Sequence, residues 1–331
     1  MKALLLKQTA PIEDRPIELA DVTEPRPGEK QVKIDVQFCG VCHTDLHIVE
    51  GDLEVPRLPL IPGHQIIGRV EELGKGVEKF SVGDRVGVPW LYSTCGECEF
   101  CRNHQENLCE NIRFTGLDAD GGFAEKTVSE EDFTYQIPGG LSSEKVSPLL
   151  CGGVIGYRAL ELSGAGEGDN LGLYGFGSSA HMVIQMARYR GSQVYVFTRS
   201  EEHRKLDREL GGRWEGSDKD DPPRKMDTSI IFAPAGWIVP EALRVAKKGG
   251  KVVTAGIHMS PIPEFTYDLL WGERTLTSVA NSTRRDVKEL LKLSEEIPIE
   301  TTVETYPLEE GPEVLEKLKK SEIEASAVLK I

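Results

Sequence analysis

The sequence predicts an α/β chain in two parts, an irregular β-rich part and a doubly wound parallel sheet. Three observations carry this. Residues up to about 152 hold short alternating segments separated by turn signals. Beyond them, apolar strands alternate with amphipathic helices. A glycine motif, Gly175-Phe176-Gly177-Ser178-Ser179-Ala180, marks the first strand-to-helix junction of the alternating part.

In the first part, Gln31–Phe38, Ile66–Leu73 and Asp84–Val88 read as strands. Pro27-Gly28, Pro62-Gly63 and Gly83-Asp84 punctuate them. In the second part, Leu171–Tyr174 is a short apolar strand. Ser179–Arg190 follows as a helix, with Ala180, Val183, Ile184 and Ala187 on one face and Gly191 as its stop. Gln193–Phe197, Thr228–Phe232 and Lys251–Ala255 read as the next strands. Glu201–Leu210 and Pro240–Lys247 are helices between them, the latter stopped by Gly249-Gly250. Such βα units imply a parallel sheet wound on both faces. The chain then enters helix Asp286–Glu296 and ends in strand Ala325–Ile331. The expected division is residues 1–152 with 286–331, and 153–285.

With 331 residues the chain can bury a sizeable core. Its 54 acidic and 39 basic side chains give a net charge of -15, with no run of Lys and Arg. That excludes nucleic acid and an anionic membrane as main partners. No apolar stretch reaches the ~20 residues of a membrane span. The apolar run in MKALLLKQ is too short for a signal peptide. A cytoplasmic location is expected. There, seven cysteines point to metal ligation or catalysis rather than disulfides.

Cys95, Cys98, Cys101 and Cys109 form C-x2-C-x2-C-x7-C. Four thiolates on one short loop can close a tetrahedral structural zinc site and staple a loop too polar to bury a core. An iron–sulfur cluster also uses tight cysteine spacing. No proline follows the last cysteine, and no partner redox function is visible. Three further candidates are dispersed: Cys42 in GVCHTDLH, His64 in PGHQIIG and Cys151 in LLCGG. Two thiolates and one imidazole leave a fourth position open, as a catalytic zinc requires. With a divalent ion such a site is neutral, so the metal stays a Lewis acid. Taken singly, each of the three is equally a packing residue.

The G-x-G-x-x-A motif follows a strand and opens a helix, the context that makes it a dinucleotide signal. Gly175 permits the tight turn, Gly177 lets backbone approach a pyrophosphate, and Ala180 keeps helix and strand close. Amides at the helix start then face the phosphates.

Together these residues resemble the zinc-dependent medium-chain alcohol dehydrogenases, a standard example of Cys2His ligation of catalytic zinc. The resemblance runs along nearly the whole chain in the family's order: GVCHTDLH, PGHQIIGRV, GDRVGV, the four-cysteine lobe, LLCGG and the nucleotide fold. PGHQIIG with GVPWL is most similar to the bacterial and archaeal cinnamyl-alcohol-dehydrogenase-like branch. The resemblance implies a GroES-like catalytic domain beside a Rossmann domain, and two zinc ions per chain. It implies that Cys42, His64 and Cys151 hold the catalytic zinc and Cys95, Cys98, Cys101 and Cys109 the structural one. Thr44 matches the hydroxyl beside the substrate oxygen, His47 the imidazole ending a proton relay, and Asp45 a carboxylate behind the ligands. Thr44 and Asp45 are equally suited to capping a helix that begins at this turn. His43 and Arg284 match contacts to the cofactor pyrophosphate, with Arg285 as a register alternative to Arg284. Homodimers or homotetramers are implied as well.

Two positions depart from the family. Gln65 stands where a glutamate usually follows the ligand histidine, which puts the exchange of water and substrate at the metal in doubt. Leu53 lies where yeast-type members carry an indole, implying a roomier pocket. By resemblance Trp90 lines that pocket, although an aromatic there is equally a core residue. If it lines the pocket, primary, medium or aromatic alcohols and aldehydes are the expected substrates. Polyol or secondary-alcohol oxidation, a catalytically inactive cofactor-binding protein and a thiol redox sensor are the alternatives.

The second strand of the alternating part should end at the adenosine ribose. An NAD enzyme usually places an acidic residue there. The positions here are Thr198, Arg199 and Ser200, with His203 and Arg204 one helical turn on. A planar guanidinium and a hydroxyl suit a 2′-phosphate, so NADP is expected over NAD. The opposite reading leaves Arg199 solvated and lets Glu201 or Glu202 reach the ribose.

Overall fold

Strand Gln31–Val41 organises the first half of the chain. Val32, Ile34 and Val36 are buried while their neighbours are not, the alternation the sequence showed. The strand runs past Phe38 to Val41, with register shifts near Lys33 and Val36. The computed structural model describes residues 1–297, 299–323 and 326–331. They divide into two units: Met1–Cys151 with Thr283–Glu296 and Glu300–Ile331, and Gly152–Ser282 with Ile297–Ile299.

Among the described residues of the first unit, a seven-stranded sheet runs in the order Val303–Pro307, Ser326–Lys330, Gln31–Val41, Gln65–Leu73, Arg85–Val88 and Tyr135–Gln136. Lys126–Glu130 also pairs with Gln31–Val41. The expected last strand is present as Ser326–Lys330; Ala325 lies outside the described residues. Leu4, Leu6, Ile34, Ile48, Leu60 and Phe123 are fully buried in this unit's core.

The register of this sheet decides where two candidate ligands fall. Gly40 pairs antiparallel with Gln65, and Cys39 with Ile66. Cys42 therefore leaves one strand end beside the point where His64 enters the other. Gly40 cannot carry a side chain, because a Cβ there would lie 2.5 Å from Gln65 Oε1. The backbone before His64 is gripped by a distant loop. The N–H groups of Gly121, Gly122 and Phe123 bond to the carbonyls of Ile61, Gly63 and Pro62 at 2.7, 2.9 and 3.0 Å. A Cβ on Gly121 would sit 2.0 Å from the Gly63 carbonyl oxygen.

The second unit is a six-stranded parallel sheet, ordered Trp214–Gly216, Gln193–Phe197, Asn170–Tyr174, Met226–Ile231, Ala246–Thr254 and Thr275–Ser278. The two edge strands are too short to show periodicity in sequence. One boundary differs from expectation. The helix is Ile238–Val245, and the strand begins at Ala246, so Gly249-Gly250 does not stop the helix. Instead the pair lies where the register slips against Met226 and Thr228. There Gly249 adopts a φ of 73° and its N–H reaches the Gly272 carbonyl at 2.8 Å. Buried aromatics pack this sheet, with Tyr174 stacked on Phe197 at 4.1 Å. No helix among the described residues is long and apolar enough to cross a membrane.

The grip on His64 is testable. Gly121→Ala should lose about 1–3 kcal/mol by overpacking against carbonyls that cannot yield. Gly139→Ala, with no atom within 4 Å of the added Cβ, should stay within about 0.5 kcal/mol of wild type. Calorimetric melting of both variants checks this; equal melting temperatures would refute the grip.

Candidate active site

Cys42, His64 and Cys151 converge, with all three ligand atoms within 4.8 Å of one another. Cys42 and His64 meet through the strand register. Cys151 follows the turn Ser147–Leu150, whose Ser147 hydroxyl donates to the Gln65 carbonyl at 2.6 Å. Cys42 Sγ lies 3.8 Å from Cys151 Sγ and 3.5 Å from His64 Nε2. A tetrahedral zinc with ordinary bond lengths would set these edges at about 3.8 and 3.5 Å. The donor set thus fits three corners of one tetrahedron.

Asp45 ties two of the corners together. Its Oδ2 accepts from the Cys42 N–H at 2.9 Å, closing the first turn of helix His43–Glu50. Its Oδ1 meets His64 Nδ1 at 2.9 Å, which turns Nε2 toward the sulfurs. The helix cap and the carboxylate behind the ligand are therefore one group.

The electrostatics also call for a cation. A hydrogen bond from Cys151 holds the Cys42 thiol well below its usual range against burial, helped by His64 and the Thr44 hydroxyl. Burial works against a charged His64, yet Asp45 and Cys42 outweigh it and push His64 up to about 10. A buried thiolate beside a buried carboxylate needs compensating charge. A divalent ion would supply it and leave the imidazole neutral, with its Nδ1–H donating to Asp45.

The four lobe cysteines likewise place their sulfurs within 4.8 Å of one another. Cys95 Sγ lies 3.9 Å from Cys101 Sγ and 3.5 Å from Cys109 Sγ. Backbone N–H groups point at the sulfurs: Cys98 to Cys95 at 3.3 Å and Cys101 to Cys98 at 3.5 Å. The amides of Glu97 and Cys98 hold the Cys95 thiol down to about 6. So compact a set suits one tetrahedral ion better than a multi-iron cluster. The lobe is anchored by Glu106, almost fully buried, which accepts from the Arg284 backbone N–H and guanidinium at 2.9 and 3.0 Å. Arg284 thus sits on Glu106 and over the Phe133 ring.

Thr44 is buried on the first turn of helix His43–Glu50. His47 lies one turn on, half-buried, with Nδ1 2.7 Å from the Asp52 carboxylate. His43 is exposed. The Trp90 ring centroid is 6.0 Å from that of His64, and it stacks on Phe114 at 4.3 Å. Thr115 fixes this pair: its N–H bonds to the Trp90 carbonyl and its hydroxyl to the Pro89 carbonyl. Leu53 is half-buried against the same core. Gln65 is buried, and its Nε2 has no partner among the described residues.

Residues 28–139 match the alcohol dehydrogenase GroES-like domain family, and 180–296 the zinc-binding dehydrogenase family. A probable alcohol dehydrogenase of Mycobacterium tuberculosis is 41% identical, covering 100% of this chain and 97% of its own length. The chain belongs to the zinc-dependent medium-chain alcohol dehydrogenase family. An alcohol dehydrogenase of Geobacillus stearothermophilus is 35% identical over 100% of both chains. A cinnamyl alcohol dehydrogenase structure from Helicobacter pylori, complexed with NADP(H), superposes with a TM-score of 0.90 at 25% identity, covering 99% of this chain and 97% of that one.

In this dehydrogenase the glycine motif lies where a nucleotide-binding turn should. Gly175 has a φ of 83°, and a Cβ there would meet the Ala233 backbone at 3.0 Å. Around Gly177 a Cβ would meet nothing within 4 Å. The N-cap of helix Ser178–Tyr189 is Gly177, which has no side chain to cap it, and a helix start of this kind suits an anion. Ala180 is fully buried. At the end of Gln193–Phe197, the Thr198 hydroxyl accepts from the Ser200 N–H and the Ser200 hydroxyl from the His203 N–H. Arg204 donates to the Thr198 carbonyl. Arg199 is exposed, its guanidinium 6.0 Å from the Trp237 ring centroid.

Three residues escaped the sequence reading: Asp52, Phe114 and Glu106. Phe114 and Glu106 act through tertiary contacts that no local spacing signals; Asp52 is only five residues from His47 and escapes notice because it lies beyond the helix end.

Two measurements follow. Asp45→Asn should weaken metal binding at the Cys42 centre by about 10–100-fold, read as zinc retained after dialysis against a graded chelator. Undiminished retention would show that Asp45 only caps the helix. Cys98→Ser should lower the melting temperature before it lowers activity, since a closed thiolate site contributes folding free energy. An unchanged melting temperature would remove that role.

Proposed function

We propose that this dehydrogenase interconverts primary, medium or aromatic alcohols and their aldehydes, using zinc at Cys42, His64 and Cys151 and preferring NADP(H) over NAD(H). A second zinc in the four-cysteine lobe is structural. The Cys2His triangle, whose edges match a tetrahedral zinc with one position left open, carries this reading.

When bound, the metal polarises the substrate oxygen, and the nicotinamide carries the hydride. The chain's own residues supply the rest. Asp45 keeps His64 Nε2 turned toward the two sulfurs, so the imidazole holds its own corner and the fourth is left for substrate. Thr44 passes the proton of the substrate hydroxyl, a task a buried alcohol side chain performs as a link and not as a base. His47, held by Asp52, exchanges that proton with solvent. Trp90 and Phe114 form an aromatic wall that favours apolar substrate bodies and excludes water. Gln65 offers the metal no carboxylate, so ligand exchange there proceeds without one.

On the cofactor side, Gly175, Gly177 and Ala180 shape the pyrophosphate turn. In the family pattern His43 and Arg284 contact phosphate; here the Arg284 guanidinium is already held by Glu106, which leaves Arg285 as the register alternative. Thr198, Arg199, Ser200 and Arg204 present no acid to a 2′-phosphate. Arg199, with no carboxylate partner among the described residues, is the group best disposed to pair with one.

A panel of primary alcohols, secondary alcohols and polyols, assayed with both cofactors, tests the proposal. Wild type should show the higher kcat/KM with NADP and with apolar primary substrates. Arg199→Ala should reduce the NADP-to-NAD ratio about tenfold, the loss of one charge-assisted pair. Cys42→Ala should abolish turnover while the lobe keeps its ion. A wild-type preference for NAD, or for polyols, would overturn the corresponding part.

A further inference from the structure

Away from the metal centres, the first unit contains a cavity of about 470 Å³ lined by residues from its N-terminal strand, the loops around 26 and 57, and the segment 113–128. Its walls are mixed. Leu5, Val22, Pro25, Ile61 and Val128 form apolar surface, while Arg26, Arg57, Arg113 and Lys126 bring four cations to a protein of net charge -15.

Pairing accounts for only part of that charge. Lys126 is held by Asp35 at 2.7 Å and Glu71 at 2.8 Å. Arg57 is held by Asp120 at 2.8 Å. The other acid in the lining, Asp118, accepts from the Phe114 N–H at 2.8 Å. Among the described residues Arg113 donates only to the Asp118 backbone carbonyl, and it lies over the Tyr92 ring at 5.3 Å. Arg26 has no ion pair or hydrogen bond among the described residues. Two guanidiniums therefore border one cavity without a carboxylate.

Tyr92 also lines the cavity. Tyr92 is 5% exposed. Its oxygen accepts from Gln31 Nε2 at 3.2 Å, and the Gly28 N–H on Gln31 Oε1 fixes that amide's orientation. The phenol proton is thus left to be donated elsewhere. Burial pushes this phenol up to about 12, so it stays a donor at neutral pH.

We infer that this cavity is a binding site for an organic carboxylate carried on an apolar body, its carboxylate held by Arg113, Arg26 and the Tyr92 hydroxyl. Guanidinium is the side chain suited to planar carboxylate recognition. The volume falls within the range of small-molecule sites. The lining includes none of the seven candidate metal ligands and no residue of the glycine motif.

Octanoate is the probe. Calorimetric titration of the full chain should give saturable binding at one site per chain. Arg26→Gln and Arg113→Gln should each weaken it about tenfold, with melting temperature unchanged, and Tyr92→Phe should weaken it less. Octan-1-ol should bind with no dependence on either arginine, and inorganic phosphate should bind more weakly than octanoate. No saturable octanoate binding, or binding equal in wild type and both arginine variants, would overturn the assignment. Phosphate binding as tight as octanoate would overturn the apolar half of it.

Discussion

The site depends on one carboxylate. Asp45 is fully buried, and its two oxygens fasten the N–H of one candidate ligand and the ring of another. A buried anion is costly unless paired and hydrogen-bonded. Asp45 meets that condition only where helix His43–Glu50, the strand bearing Cys42 and the strand after His64 are all in register. Metal ligation, helix capping and sheet pairing are thereby coupled through a single side chain.

Much of this was visible in the sequence, for reasons that differ by site. The four-cysteine lobe is local, so spacing alone described it. The glycine motif was legible because a strand and a helix flank it. Cys42, His64 and Cys151 are spread over more than a hundred residues; glycine-flanked motifs in a familiar order linked them, and the register of Gly40 with Gln65 gives the physical reason. Hidden residues work across the fold. Gly121 lets its backbone pack against the Gly63 carbonyl, Glu106 receives an arginine 178 positions away, and Phe114 stacks on an indole. The glycine pair at 249 and 250 misled because glycine serves a register slip as readily as a helix stop.

Hydroxyls and arginines near the second strand's end show a further limit of pattern reading. Ser200 and Arg204 have the right chemistry for an anion, but each also satisfies backbone groups of its own turn. A ligand arriving there competes with bonds already made. Arg199 is less encumbered, which is why selectivity should concentrate on it.

The first unit is interrupted in sequence by the second, and this has a consequence during synthesis. Strand Ser326–Lys330 lies beside Gln31–Val41, pairing Leu329 with Cys39 and Ala327 with Val41. While the ribosome is still translating the intervening residues, the strand that leads into Cys42 lacks one neighbour. The second unit, nearly continuous in the chain, is free to fold as it emerges. The first must hold an open sheet edge until its last strand arrives, the kind of edge that invites mispairing. Its cysteines are thus exposed to cellular zinc and oxidants for longest before the fold closes over them.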